Sequence, residues 1–254
     1  MDTMDFPDFN SSTAPLMKSG LSFEEKYVDM RHREQWLSPD AEVGLLPDVS
    51  TQHPHYREWC ARKRSGSRLL HYLKKKQAPL NILEVGCGNG WLSNLLSSLP
   101  YSRVTGIDIN TTELMQARRV FVYSSNLEFI LGDIRSGILF DRRFDMVVFA
   151  ASIQYFPCMQ TIIQFVLEHL LTHTGEIHIL DTPFYKAEEV AAARERTAAY
   201  YAKLGFPEMT GYYFHHSMDD LQPFHYKILY QPMAVQHRFT RNRNPFCWIR
   251  IKNT

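Results

Sequence analysis

The chain has 254 residues, 44% apolar and 22% charged, with a formal charge of +1. That length suits one large domain with a full core, and the near-neutral balance gives no bulk pull toward nucleic acid or anionic membranes. Cys60, Cys87, Cys158 and Cys247 lie far apart without a C-x-x-C pair. This argues against a zinc site and against a disulfide framework. No apolar run approaches the ~18 residues of a membrane span, and the acidic, polar start is unlike a signal peptide. A protein of the reducing cytoplasm, without metal or membrane partner, is the expectation.

Residues 1–20, rich in Asp, Ser, Thr and Pro, are expected to be disordered. Residues 21–76 read as a helical extension. A helix in "SFEEKYVDMRHREQWL" leads through a Pro- and Gly-bearing loop to a longer one, from about His55 to Lys76. Trp59, Leu69, Leu70 and Leu73 mark the apolar side of the second helix, and Lys74, Lys75 and Lys76 suit its negative end. Residues 77–254 then alternate. "NILEV" is a strand; Trp91, Leu92, Leu95, Leu96 and Leu99 follow at helical spacing until Pro100. "RVTGIDI" is the next strand, and Asn110 with Glu113 three residues on suggests a capping box for the helix "TTELMQARRVF". "LEFILGDI" and "FDMVVFA" are further strands, the second followed by a helix near Gln160–Leu171. "EIHIL" is a fifth strand, and "KAEEVAAARERTAAYYAKLG" a helix ended by Gly205. "HYKILYQP" and "PFCWIRIK" have no helix between them, so they pair as antiparallel strands. Strands alternating with helices give an α/β fold, a parallel sheet covered on both faces.

The first strand breaks into glycines at every second position, Gly86, Gly88 and Gly90. Glycine weakens a strand, so something must come close to the backbone there. In a doubly wound sheet ligands sit beyond the carboxyl ends of the strands, against a helix N-terminus. An acid about 20 residues further on, at the end of the second strand, is placed to hold ribose hydroxyls; Asp108 occupies that place. The pattern implies a nucleoside cofactor. A dinucleotide site needs G-x-G-x-x-G, and Trp91 follows Gly90 where the motif cannot be completed.

"EVGCGNG", "GIDIN", "GDI", "FDMVVFAASIQYF" and "GEIHILD" together resemble the class I S-adenosylmethionine-dependent methyltransferases, over about Asn81–Lys252. The resemblance implies a Rossmann-like, doubly wound, seven-stranded sheet, mostly parallel, with helices on both faces and a C-terminal antiparallel hairpin. It implies S-adenosylmethionine as cofactor, with S-adenosylhomocysteine as product. Gly86, Cys87, Gly88 and Gly90 would lie along its ribose and methionine portion, with Glu84 near the cationic amino group. Asp108 would accept from the ribose hydroxyls, Ile109 and Ile134 would flank the adenine, and Asp133 would accept from its amino group. Ala150, Ala151 and the residues to Gln154 would line the methionine side. The segment 21–76 would be a lid, with Tyr27, Trp36 and Tyr56 as walls. Bland readings stand beside these: Glu84 and Asp133 as turn residues, Cys87 as a small buried filler.

Methyl transfer from a sulfonium is governed by positioning and desolvation, and a base is required only if the acceptor must lose a proton. Catalytic residues are therefore less legible than binding ones. Tyr155 is one candidate for the acceptor side, and His215 and His216, in the aromatic stretch "GYYFHHSMDD", are candidate bases. In the plainer alternative Ser217 caps a helix and the histidines pack at a corner. The expected acceptor is a small molecule, with the atom (O, N or C) open. Nucleic acid is disfavoured as a partner, because Ala151–Gln154 stands where base-methylating enzymes carry Asn/Asp-Pro-Pro-Tyr. A protein or RNA methyltransferase and a non-catalytic cofactor-binding module are the alternatives. The aromatic tail "QPMAVQHRFTRNRNPFCWIRI" either forms a homodimer edge or finishes the sheet.

Overall fold

A computed structural model gives the arrangement of residues 23–232 and 244–253. The expected disordered stretch 1–20 and part of the aromatic tail, 233–243, lie outside the described residues. The strands are β1 (Asn81–Val85), β2 (Arg103–Asp108), β3 (Leu127–Leu131), β4 (Phe144–Ala150), β5 (Leu171–Leu180), β6 (His225–Tyr230) and β7 (Trp248–Lys252). They form one seven-stranded sheet in the order β3-β2-β1-β4-β5-β7-β6. Six run parallel, and β7 lies antiparallel between β5 and β6. The tail strand therefore finishes the sheet from inside and is not an edge. The helices are α1 (Phe23–Arg33), α2 (Asp40–Val43), α3 (Tyr56–Lys74), α4 (Trp91–Ser97), α5 (Thr111–Val120), α6 (Met159–His169) and α7 (Val190–Leu204).

The central strands read as unbroken apolar runs because both their faces are covered. Leu83, Val147, Phe149 and Ile177 pack on one face with Ile163 and Val166 of α6. Ile82, Met146 and Val148 pack on the other with Trp59 and Leu69 of α3 and Leu92 and Leu96 of α4. Strand order reverses between β1 and β4, so the crevice opens beyond Val85 and Ala150. Above it, Met30 of α1 packs on Tyr201 of α7 and on Met209. Those two segments, remote in sequence, close over the carboxyl ends of the strands.

One polar cluster is set into this core. Glu176 of β5 is 1% exposed and accepts from the Tyr72 hydroxyl (2.8 Å), with Lys76 and Lys252 Nζ each 3.1 Å away. Trp248 Nε1 donates to His178 Nδ1 (3.0 Å), which leaves the His178 proton on Nε2, facing Glu176 at 3.3 Å. Burial pushes the Glu176 carboxyl up, but donors from His178, Tyr72, Lys252 and Lys76 outweigh it and hold it well below the usual range.

Candidate functional site

The sequence suggests one purpose for the three glycines; the structure gives them two. All adopt positive φ, 71° at Gly86, 51° at Gly88 and 77° at Gly90. A Cβ on Gly86 would lie 2.5 Å from Ser152 Cβ, and one on Gly90 would lie 2.5 Å from Phe129 Cζ and 2.9 Å from Ala117 Cβ. These two glycines admit the chain's own neighbours. Only at Gly88 would the added atom meet a carboxylate of the crevice, Glu113 Oε1 at 3.5 Å. Cys87 borders the cleft but is 4% exposed, and burial raises its thiol far above the ordinary value, which disfavours a nucleophilic thiolate.

Asp108 stands at the carboxyl end of β2. Its Oδ2 accepts from Gly88 N–H (2.7 Å) and its Oδ1 from Asn110 N–H (2.8 Å), which fixes the carboxylate across the mouth of the glycine loop. Burial raises its pKa despite these bonds. The same contact rearranges the expected capping box. Asn110 Oδ1 accepts from Glu113 N–H (3.1 Å) as predicted, but Asp108 has taken the Asn110 N–H. Glu113 instead accepts from Asn110 Nδ2 (3.2 Å) and turns its carboxylate toward the crevice. Sequence reasoning assigns Glu113 to a helix start and misses it as a site residue.

Ile109 is 48% exposed at the rim, whereas Ile134 is 2% exposed and packs into the core. Asp133 caps the short turn Ile134–Ser136, accepting from Arg135 N–H (2.8 Å) and from the Arg135 guanidinium (2.7 Å). Partial burial pushes its carboxyl up, but Arg135 prevails and holds it below the usual value. Glu84 is 2% exposed, accepts from the Ser93 hydroxyl and lines the crevice. Burial pushes it up to about 8, with only partial relief from Ser93. Beyond Ala150, Ala151 takes φ 54° and Ser152 Oγ donates to Val85 O (2.5 Å), locking the β4 loop onto the β1 loop. Gln154 is pinned by its own bonds, donating to Ala151 O (2.7 Å) and accepting from Thr182 (3.1 Å).

Of the expected cofactor residues all but Gly90 border one cleft of about 1520 Å³, which Glu113, Ser152, Gln154, Tyr27, Trp36, Tyr56 and Tyr155 also line. This is more than the ~300–1,000 Å³ of a pocket for a single small ligand, so two molecules can lie side by side. Tyrosines form a continuous part of the cleft wall. Tyr155 meets Tyr27 edge-on at 5.7 Å and Tyr213 at 5.9 Å. Burial raises the phenols of Tyr27, Tyr155 and Tyr213, so they stay protonated near neutrality.

His215 and His216 do not belong to this wall. Neither lines the cleft; His215 Nε2 pairs with Thr197 Oγ1 (2.8 Å) and His216 Nε2 donates to Ile153 O (3.2 Å). Both are pushed toward the neutral form by burial. The plainer expectation holds instead, with Ser217 and Asp220 forming a capping box on the turn Met218–Leu221. Residue type and proximity in sequence suggested a base that packing has turned away. The cleft is lined by arginines that sequence reasoning passed over, among them Arg31 of α1 and Arg62 of α3. Among the described residues no cluster of His, Cys, Asp and Glu suits a metal ion, and no helix is long and apolar enough to cross a membrane.

A doubly wound sheet with a glycine turn at its switch point and an acid at the end of β2 defines the class: a Rossmann-like domain. Residues 82–182, which span β1 to the end of β5, match the model of the methyltransferase domain family. That match takes in 101 of the 254 residues, and over it the chain is similar to methyltransferase domains. Its fold is similar to the magnesium protoporphyrin IX methyltransferase of Synechocystis PCC 6803 solved with bound S-adenosylhomocysteine (TM-score 0.56, 14% identity, 91% of this chain and 96% of that one). The plantazolicin methyltransferase BpumL in complex with S-adenosylhomocysteine is comparably near (TM-score 0.53, 17% identity, 91% and 96%). In sequence, the malonyl-[acyl-carrier protein] O-methyltransferase of Acetivibrio thermocellus is 37% identical over 97 residues, 37% of this chain and 34% of that protein. The enzyme of the same name from Bacillus cereus is 28% identical over 115 residues, 43% and 41% of the two chains. The matched stretch thus spans well under half of these relatives' length.

Proposed function

We propose that the chain is an S-adenosylmethionine-dependent methyltransferase whose acceptor is a small molecule bearing an oxygen nucleophile. The observation that carries this reading is the Asp108 carboxylate, fixed by Gly88 and Asn110 N–H groups in front of a glycine turn and an open cleft. A group with ribose hydroxyls, an adenine and an amino-acid tail fits the residues present. Asp108 would accept from the hydroxyls, and Gly86 and Gly88 would carry the backbone beneath them. Ile109 and Ile134 would flank the base, with Asp133 keeping acceptor capacity beside Arg135. Ala150, Ala151 and Ser152 would border the methionine side. Glu84 is held protonated by burial near neutrality, and a cationic amino group against it would draw out the ionised form. Residues 21–76 would serve as the lid and 77–254 as the transferase domain.

The cofactor supplies an electrophilic methyl group on a sulfonium. What the chain supplies is alignment and exclusion of water, through the aromatic wall of Tyr27, Tyr155 and Tyr213. No histidine lines the cleft, and the phenols are held protonated. Such a wall suits an acceptor that arrives already deprotonated, as a carboxylate does. The relatives named as O-methyltransferases of a malonyl group favour the same chemistry. Four free cysteines suit a reducing compartment. Calorimetric titration with S-adenosylhomocysteine and, separately, NADH tests the reading. Micromolar affinity for the first, lost in Asp108→Ala, is expected; tighter binding of NADH would refute it.

A further inference from the structure

Arg31 and Arg62 reach the cleft from different helices and converge on one indole. The Arg31 guanidinium carbon lies 4.6 Å from the Trp36 ring centre and that of Arg62 lies 5.0 Å from it. Arg62 also sits 5.3 Å from the Trp59 ring. Two like charges on one aromatic ring repel, and a half-buried guanidinium without an acceptor is costly. Yet among the described residues nothing accepts a hydrogen bond from Arg62, and Asp181, the carboxylate that attracts it, is already engaged by Ser65 Oγ (2.6 Å) and Asn244 Nδ2 (3.1 Å). Arg31 has only a long contact with Glu34 (3.5 Å), and its Nε is buried without a partner. Trp59, 2% exposed and lining the same cleft, leaves its indole N–H unpartnered as well. Three sets of donors thus line one cleft, and among the described residues the long Glu34 contact is the one hydrogen bond any of them makes there.

We propose that Arg31, Arg62 and the Trp59 N–H form a carboxylate-binding clamp in the cleft. Guanidinium groups match a carboxylate's two oxygens in pairs, and the flat indole of Trp36 holds both forks without supplying an acceptor of its own. Resting on the methyltransferase reading, the clamp has two sources of ligand: the α-carboxylate of the cofactor's methionine portion, or a carboxylate of the acceptor.

The test uses Arg31→Met, Arg62→Met and, as the conservative variant, Arg62→Lys, in the full chain. Calorimetry compares S-adenosylhomocysteine with 5′-methylthioadenosine, which lacks the amino-acid tail. Thermal unfolding with and without malonate reads carboxylate binding to the ligand-free protein. If the cofactor is the source, both Met variants bind S-adenosylhomocysteine at least tenfold more weakly and 5′-methylthioadenosine unchanged. If the acceptor is the source, cofactor affinity is unchanged and the stabilisation by malonate disappears. Arg62→Lys falls between, because it keeps the charge and loses the fork. The ligand-free Arg62→Met variant melts no lower than the parent, since it removes a guanidinium without a hydrogen-bond acceptor, whereas Arg31→Met also breaks the Glu34 pair and melts lower; a merely structural Arg62 would lower the melting temperature. The proposal is overturned if both variants keep S-adenosylhomocysteine affinity and the malonate effect within twofold of the parent. A parent that binds no S-adenosylhomocysteine yet is stabilised by malonate through Arg62 would sink the cofactor reading and keep the clamp.

Discussion

Replacing Gly86 by alanine probes the joint between the β1 and β4 loops. The residue sits at φ 71°, where a side chain costs about 1–2 kcal/mol. The new Cβ would lie 2.5 Å from Ser152 Cβ and 3.3 Å from its Oγ. Ser152 cannot simply withdraw, because its hydroxyl is bonded to Val85 O at 2.5 Å. Forcing the two loops apart adds an overpacking cost of about 1–3 kcal/mol, so Gly86→Ala should destabilise by about 2–5 kcal/mol. Urea unfolding measures this as a lowered midpoint at unchanged slope. The decisive comparison is a double-mutant cycle with Ser152→Gly, which removes the opposing carbon but leaves the backbone strain. The double variant should recover about 1–3 kcal/mol relative to the sum of the single effects. Strict additivity would refute the collision and leave only the left-handed backbone as the reason for glycine.

Two buried acids should shape stability against pH in opposite directions. Glu84 has a folded value of about 8 against an ordinary 4.5, so its contribution is complete below 4.5 and is lost as pH rises to 8, at no more than about 1.4 kcal/mol per pH unit. Glu84→Gln should flatten that fall in chemical denaturation run across the window, and an unchanged profile would count against a protonated Glu84. Glu176 is depressed, so its contribution is present above 4.5 and is lost as pH falls below it. Glu176→Ala leaves Lys76, Lys252 and His178 facing no acceptor and should cost about 3–5 kcal/mol in urea unfolding at neutral pH. Replacing His215 and His216 together by Gln should lower the melting temperature but leave the pH profile of methyl transfer unaltered; a shifted profile would return them to the chemistry.

All seven strands were legible because covered parallel strands are apolar throughout and are separated by amphipathic helices. The limits were less so. β5 begins at Leu171, five residues before the apolar run "EIHIL", since Thr172, His173 and Thr174 are polar and Gly175 reads as a break. In the sheet Gly175 is what the strand needs, because a Cβ there would come 2.6 Å from Leu171. The first helix stops at Arg33 because Gln35 turns to φ 61° and Trp36 stacks flat on His55, with centres 3.8 Å apart. That contact joins segments no local pattern relates. In the site, Asp108 could be read because residue type, strand end and spacing agree. Arg31 and Arg62 could not, since each looks like one more cation on a charged helix until the cleft between those helices is seen. Glu113 was hidden by a rule that fitted its neighbours, the capping box.

The insertion of β7 between β5 and β6 makes the sheet's right-hand third dependent on a peptide remote in the chain. Parallel strands β1 to β5 can register with one another as they emerge, but β6 has no neighbour until Trp248–Lys252 slots in beside it. Until then β5 presents a long row of unpaired backbone groups over buried Ile177 and Ile179, the kind of edge that recruits strands from other molecules. Lys252 and Trp248 do more than fill the gap, because they reach Glu176 and His178 and so give the arriving strand a single register. Removing the last few residues of β7 would not trim a border. It would withdraw an interior stave, and the protein would be lost to association before its cleft had formed.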